Sequence, residues 1–433
     1  MRKLRSIAAC LVGLTLAAMS CDVGRGETLE EAWAVALAQN HRLAAAQFEE
    51  AAAAEDWGAA TAERMPSLAL RSAYTLRNEE PSFIVRDPVA GLGTFEFPYA
   101  QRNAAAAGAE ARLPLYTGGR ISSTIQSAAA REAAAQFETA QARLNLLFSV
   151  GEAYVDVLRL EREVEVAEHD VASLEAHAAD VAQLRSQERA AEQDLLAAQV
   201  AVGIARQRRM TQQRALDLAR GQFNRLLDRP LSAPVQLAEV NLAPLEWQPD
   251  QLVAIACEKR PDLQALMAVS DSHDHASETA RAEGRPQVIA SVGANYEENR
   301  FQTPNTLATA AVVVDWNLYN GGKTNRKASA EEARAAGARR MVDDLKSQIA
   351  LELLNATNQV AEASEQLAVA TQNLAHTTEN LRVTRLRFGK GMALNSAVLD
   401  AEAQWLQAMR DHHNAHYEGA LAQLRLRYLA GLL

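Results

Sequence analysis

The sequence is poor in aromatic residues and nearly free of cysteine: of 433 residues only 5% are Phe, Trp or Tyr, and three are Cys. A core of bulky rings is excluded for a chain that is nonetheless 48% hydrophobic and rich in alanine; closely approaching helices are the natural use of such small side chains. An excess of basic residues is also missing. With 44 Lys and Arg against 54 Asp and Glu, the formal net charge is -10, so the electrostatic footprint of a DNA- or RNA-binding protein is absent and nucleic acid is not an expected partner. After the first twenty residues no stretch approaches the roughly 20 apolar residues of a membrane-spanning helix. Insertion into a membrane would then require strands closed into a barrel. No activated nucleophile, paired acid and base, or dinucleotide fingerprint is present, so the chain is not expected to be an enzyme, with no catalytic residue, metal site or cofactor.

Two motifs invite sharper readings. Gly321-Gly-Lys-Thr324 resembles the end of a phosphate loop, but the glycine that motif requires five residues before its second glycine is Asn317 here, and turning a strand into a helix is the better use of the glycines. His412, His413 and His416 cluster on the last helix, with His412 and His416 one turn apart. No third ligand or zinc-protease signature accompanies them, which favours a surface histidine patch.

The N-terminus carries Arg2, Lys3 and Arg5, an apolar run from Ile7 to Met19, and small residues at Ala18 and Ser20, the layout of a secretory signal over residues 1-20. Cys21 follows it and is a candidate for acylation, although Ala18-Met19-Ser20 is a poor lipoprotein box. A disulfide from Cys21 to Cys257 is open to the mature chain without specific support.

An internal repeat organises the rest. Leu113-Pro-Leu-Tyr-Thr-Gly-Gly-Arg120 recurs as Trp316-Asn-Leu-Tyr-Asn-Gly-Gly-Lys323, an offset of 203. At that offset Val150, Val157, Val164, Val171 and Ala178 map onto Leu353, Val360, Leu367, Leu374 and Leu381, both series stepping by seven. Ala153, Leu160, Ala167, Leu174 and Val181, against Ala356, Ala363, Ala370, Thr377 and Thr384, complete a three-four alternation, the seam of a coiled coil. Upstream the offset is 220, from Pro66 to Pro286, so the first half is 17 residues longer between Pro66 and Leu113. The surplus falls near Asn78 to Asn103, where Pro81, Pro88, Gly91, Gly93 and Pro98 predict an extended loop. The repeats are placed at 21-230 and 249-433, with a linker at 231-248. The fold class is mainly α with a small β part, a tandem repeat of helix, strand, strand and helical hairpin.

The strands alternate. Leu68, Leu70, Tyr74 and Leu76 share one face against Arg71 and Thr75; Val288, Ala290, Val292 and Ala294 oppose Gln287, Ser291 and Asn295; Val312, Val314, Trp316 and Leu318 oppose Asp315 and Asn317. Such runs suit barrel strands that face lipid outside and water inside, with Tyr116, Trp316 and Tyr319 as an interfacial girdle. Four strands per chain leave edges unpaired in lipid, so several chains must share one barrel, and three would supply twelve strands. Gly118, Gly119, Gly321 and Gly322 are the expected strand-to-helix turns. The pattern after Gly119 runs about 65 residues, on the order of 100 Å of helix.

Leu29-Glu-Glu-Ala-Trp-Ala, Pro66-Ser-Leu, the twice-used Leu-Tyr-x-Gly-Gly, Arg387-Phe-Gly-Lys-Gly391 and Val398-Leu-Asp-Ala401 together resemble the TolC-like outer-membrane efflux family from about Thr28 to Leu432. The resemblance implies a homotrimer whose twelve-stranded β-barrel in outer-membrane lipid continues into a long α-helical barrel in the periplasm. It further implies a periplasmic adaptor (membrane fusion) protein and an inner-membrane pump as partners, in a tripartite efflux pump or type I secretion system. Asp400 matches the second member of the family's aspartate pair at the constriction, while the first falls at Ala397; Asp194 lies at the corresponding turn of the first repeat. Glu188, Gly389 and Gly391 mark the hairpin tips for adaptor contact. Glu188 stands where the family usually has glycine, which predicts a more helical or differently turned first tip and sets its docking apart from the second. A periplasmic adaptor would carry one hairpin flanked by glycine-rich β-domains, and a structural coiled-coil scaffold would not need alternating strands; these are the rival readings.

Overall fold

The computed structural model describes residues 26-86, 94-240, 242 and 249-433. The proposed signal and Cys21 lie outside these residues, as does most of the second half of the expected linker. The chain order is α1 (Leu29–Gln39), α2 (His41–Ala62), β1 (Ser67–Leu76), β2 (Ser82–Arg86), β3 (Thr94–Pro98), β4 (Asn103–Tyr116), α3 (Arg120–Ser186) and α4 (Glu192–Leu226). It continues with α5 (Pro249–Lys259), α6 (Pro261–Ala282), β5 (Gln287–Glu297), β6 (Thr306–Asp315), α7 (Lys323–Gly389) and α8 (Asn395–Leu429). Helices α3 and α7 each have 67 residues and α4 and α8 each have 35, with both ends of both pairs at the 203 offset. Helices α1 and α5, and α2 and α6, start and stop at the 220 offset.

The chain divides into two compact units. The first comprises Arg42–Ala142 and Val253–Leu351 and holds a four-stranded antiparallel sheet in the order β1-β4-β5-β6. Its register gathers most of the apolar residues on one face and all the charged ones on the other. Leu70 pairs with Ala109, which pairs with Ala294, which pairs with Ala308; Ala111 pairs with Val292, and Val292 with Ala310. That face is mainly apolar, with Ser72, Asn103 and Thr306 as its polar residues toward the end of the sheet away from the helices. The other aligns Arg71, Glu110, Arg112, Ser291, Asn295 and Thr309. Pairing stops at Asp315, so Trp316 and Leu318, expected to prolong the strand alternation, lie beyond it; Trp316 donates its indole N–H to the Gly284 carbonyl at 3.2 Å.

The 17-residue surplus is not only a loop. Strands β2 and β3 pair in a separate hairpin, with Phe83 opposite Phe97 and Val85 opposite Phe95. Aromatic side chains meeting across a strand pair stabilise a ribbon that the flanking prolines and glycines disguise. At the far end of each sheet half the expected turns form: Gly118, Gly119, Gly321 and Gly322 have φ of 63, 94, 69 and 78°, values that need glycine. The first helical bonds follow at matching places, Ser123 N to Gly119 O at 2.9 Å and Arg326 N to Gly322 O at 3.0 Å.

The second unit comprises Arg143–Leu252, Glu352–Leu433 and the N-terminal segment through His41. Here the heptad positions of α3 are packed as the pattern requires: Val150, Val157, Leu160, Val164, Ala167, Val171, Leu174 and Val181 are all buried. Helix α1 starts in a Thr28–Glu31 capping box. A strap formed by residues near Glu27 and Leu237 lies over α3, where Tyr154 Oη is 2.7 Å from Glu27 O and 2.6 Å from Ala238 O. Cys257 is a free thiol.

Candidate gate and docking surface at the hairpin tips

The two hairpin turns of the second unit have one geometry. In the first, Glu188 N donates to Arg185 O and Arg189 N to Leu184 O, both at 2.9 Å; in the second, Gly391 N donates to Phe388 O and Met392 N to Arg387 O, both at 2.8 Å. Glu188 adopts φ 60° against 74° for Gly391. The expectation of a more helical or differently turned first tip is therefore corrected. Closing the last helical carbonyls with two backbone bonds outweighs the cost of a left-handed non-glycine residue, about 1–2 kcal/mol, and an Arg185–Glu192 ion pair spans the turn. Glu188→Gly is expected to stabilise this tip by about 1 kcal/mol, since glycine carries no such cost. Slower amide exchange at Glu188 and Arg189 would report it, and unchanged or faster exchange would refute it. Gly389 is the last residue of α7, just before the second turn.

Asp194 and Asp400 both lie in the first two turns of the returning helices α4 and α8. Asp194 is half-buried and caps α4, its Oδ2 accepting from Ala191 N at 3.3 Å while its carbonyl accepts from Asn395 Nδ2 at 3.2 Å. Asp400 is exposed. A carboxylate near a helix N-terminus is stabilising wherever it occurs, so position alone gives these aspartates a structural use besides any role in the channel.

Above the tips runs a buried polar row that the heptad pattern concealed. Glu163, Asp170 and His177 are one heptad apart on α3 and all buried, each directly preceding one of the seam positions Val164, Val171 and Ala178. Their step of seven was a readable signal. Glu163 lies 3.5 Å from Arg410 of α8, Asp170 lies 3.2 Å from Arg208 of α4, and His177 Nε2 is 2.7 Å from Asn395 Oδ1. Burial pushes the Asp170 pKa up, and Arg208 and Arg410 oppose the shift. Glu402 of α8, also buried, accepts from Ser173 Oγ of α3 and from Arg385 Nε of α7, both at 3.0 Å. One carboxylate thus ties three helices together close to the tips. A cleft of about 540 Å³ opens beside it, lined by Ser173, His177, Asp180, Arg189, Arg385 and Phe388.

The histidine cluster is only partly on the surface: His412 and His413 are half-buried and His416 is exposed. Burial lowers the His413 pKa, and the neighbouring His412 adds to this. Burial pushes the Tyr417 phenol up to about 12, leaving it protonated to donate to Glu239 Oε1 at 2.9 Å. Among the described residues no three His, Cys, Asp or Glu side chains form a metal-binding set.

The sequence model of outer membrane efflux proteins matches residues 34–226 and 252–432, both repeats almost whole. The chain belongs to the outer membrane efflux protein family. It is accordingly an outer-membrane protein of a channel family that extends into the periplasm, not an enzyme, and the adaptor and scaffold readings are set aside. Solved structures share the fold of this efflux protein. CusC, described in terms of transmembrane channel formation, has TM-score 0.80 at 16% identity, covering 94% of this chain and 92% of its own. VceC of Vibrio cholerae, an outer membrane protein, has TM-score 0.79 at 17% identity, covering 93% and 96%. The MtrE outer membrane channel of Neisseria gonorrhoeae, in an open state, has TM-score 0.75 at 16% identity, covering 93% and 89%. No curated protein sequence matches the efflux protein.

Proposed function

We propose that three copies of this chain form a passive exit duct, twelve strands closing one barrel in the outer membrane and the long helices forming the periplasmic tube. In this reading an inner-membrane pump supplies the energy and a periplasmic adaptor docks at the hairpin tips. A tripartite efflux pump is the favoured setting, and a type I secretion system would use the same duct. The observation that carries the reading is the four-stranded sheet: one face is mainly apolar and free of charge, the other carries Arg71, Glu110 and Arg112, and β1 and β6 end the sheet without a further partner strand among the described residues. Edge strands exposed to hydrocarbon must be paired, and other copies are the economical source of partners. The mass of the detergent-solubilised assembly tests this; three copies are expected, and a detergent-independent monomer would overturn it.

Within the duct, Asp194 and Asp400 are assigned to the periplasmic constriction, where rings of carboxylates favour cations and hold multivalent cations as a plug. The tips at Glu188, Gly389 and Gly391 are assigned to adaptor contact, and their common turn geometry supports docking at both. A signal at 1-20 and a mature chain beginning near Cys21, a candidate for acylation, complete the reading, with repeats at 21-230 and 249-433 joined through 231-248. Single-channel recording of Asp194→Ala/Asp400→Ala should show reduced cation selectivity and loss of block by trivalent cations. Unchanged selectivity and block would remove both residues from the gate.

A further inference from the structure

The β2–β3 hairpin belongs to the first repeat alone; in the second, β5 and β6 are joined by the short turn 298-305. Its two faces differ. Phe83 opposite Phe97 and Val85 opposite Phe95 make one face, and Tyr99 extends it, its ring 4.5 Å from that of Phe83. These five side chains are 47–63% exposed. The other face pairs Ser82 with Pro98 and Ile84 with Glu96. A contiguous aromatic face in water marks a contact surface, because apolar area left uncovered forfeits about 25 cal/mol per Å².

The base of the hairpin is fixed in place. Tyr99 N closes it on Pro81 O at 3.0 Å, and three contacts tie it to the β5–β6 turn: Asn299 Nδ2 donates to Tyr99 O at 2.9 Å, Gln101 Nε2 donates to Glu298 O at 2.7 Å, and Arg300 reaches both carboxylate oxygens of Glu80 at 2.6 and 2.8 Å. Lipid is the wrong cover for the aromatic face. The lipid-facing side of the sheet ends before the hairpin begins, where Tyr74 and Tyr296 lie with Ser72, Asn103 and Thr306, the setting of an outer aromatic girdle. At that end the cover lies over the opposite side: Ala104, paired with Thr75 on the face of Arg71, is 5% exposed, whereas Tyr74 and Leu76 on the apolar face are 65% and 71% exposed. The chain at the hairpin base therefore leans over the water-facing side. In a barrel shared by several copies, one such aromatic face arrives there from each copy.

We propose that the β2–β3 hairpins of the copies meet through Phe83, Val85, Phe95 and Phe97 across the outer mouth of the barrel and narrow it with an apolar ring. The inference rests on the multi-copy duct proposed above and adds a second constriction, apolar where the assigned gate is acidic. A narrow apolar ring gates by dewetting, without a charged group to select ions. Its consequence is a division of labour: the aspartates set selectivity, and the hairpins set how often the mouth is wet and conducting.

The test places one cysteine on the aromatic face, Phe97→Cys, in the full chain with Cys257→Ser. Oxidation is expected to give covalent dimers on denaturing non-reducing gels well above the Cys257→Ser background, while Ile84→Cys on the other face gives far fewer. A spin label on the Phe97→Cys protein in lipid should show dipolar broadening between copies. Relaxation of that label by dissolved oxygen without broadening would place the face in lipid, relaxation by a water-soluble nickel complex would leave it in water, and either result overturns the proposal. In single-channel recordings Phe83→Ser/Phe97→Ser should remove brief closures and raise the mean current about twofold or more with cation selectivity unchanged. An assembly of normal mass with no cross-link, no broadening and an unaltered current overturns the ring and leaves the duct standing; a monomer in detergent overturns both.

Discussion

Val292→Arg is expected to lower the membrane-inserted fraction of the protein at least tenfold, while Thr309→Arg leaves it within about twofold. Val292 is mid-strand in β5, 61% exposed, and pairs with Ala111 and Ala310 on the apolar face. An arginine on a lipid-facing barrel position costs about 2–4 kcal/mol at the midplane, and each 1.4 kcal/mol is a factor of ten. Every copy in an assembly would carry the defect. Thr309 pairs with Gly293, the residue next to Val292, and so lies at the same level of the sheet on the opposite face, in the row that holds Glu110. An arginine there would face water and a carboxylate. Outer-membrane fractionation of the two variants decides the matter: equal losses would mean that the two faces are not lipid-facing and water-facing.

The second large effect belongs to the three-helix tie near the tips. Arg385→Ala leaves the Glu402 carboxylate, only 4% exposed, with Ser173 as its remaining partner from this tie, whereas the lost Arg385 side chain was 46% exposed. Removing one member of a fully buried pair costs about 3–5 kcal/mol; with this much solvent on the arginine, about 2 kcal/mol is expected. If the tie also holds the tips of the closed duct together, single-channel conductance should rise several-fold. Arg385→Ala/Glu402→Leu should regain stability by removing the stranded charge yet remain in the higher-conductance state. Recovery of stability together with wild-type conductance would make the tie structural only.

The architecture was readable in the sequence because its two signals are periodic. The heptads of α3 and α7 and the alternation of β1, β5 and β6 extend over enough residues to outweigh local exceptions, and duplication let each half check the other. The turns at Gly118, Gly119, Gly321 and Gly322 were readable for a different reason: few other residues tolerate their φ values. Short or context-dependent features were lost. The β2–β3 hairpin has five-residue strands surrounded by prolines and glycines, so turn signals masked its pairing. Glu188 was misjudged because residue preference was weighed without the two hydrogen bonds that close the tip. The Glu163, Asp170 and His177 row was missed because a heptad search looks for apolar residues, and burial of a charge depends on an arginine arriving from another helix. Asp194 and Asp400 were marked only by their match to a family motif, because a carboxylate near a helix N-terminus has the same local setting in a channel lining as in an ordinary helix start.

The most direct test of the duct is the current carried by the purified full chain in a planar lipid bilayer, without nucleotide or partner protein. Discrete, cation-selective conductance steps are predicted. A protein that inserts no conductance, and stays in solution without detergent, would contradict it.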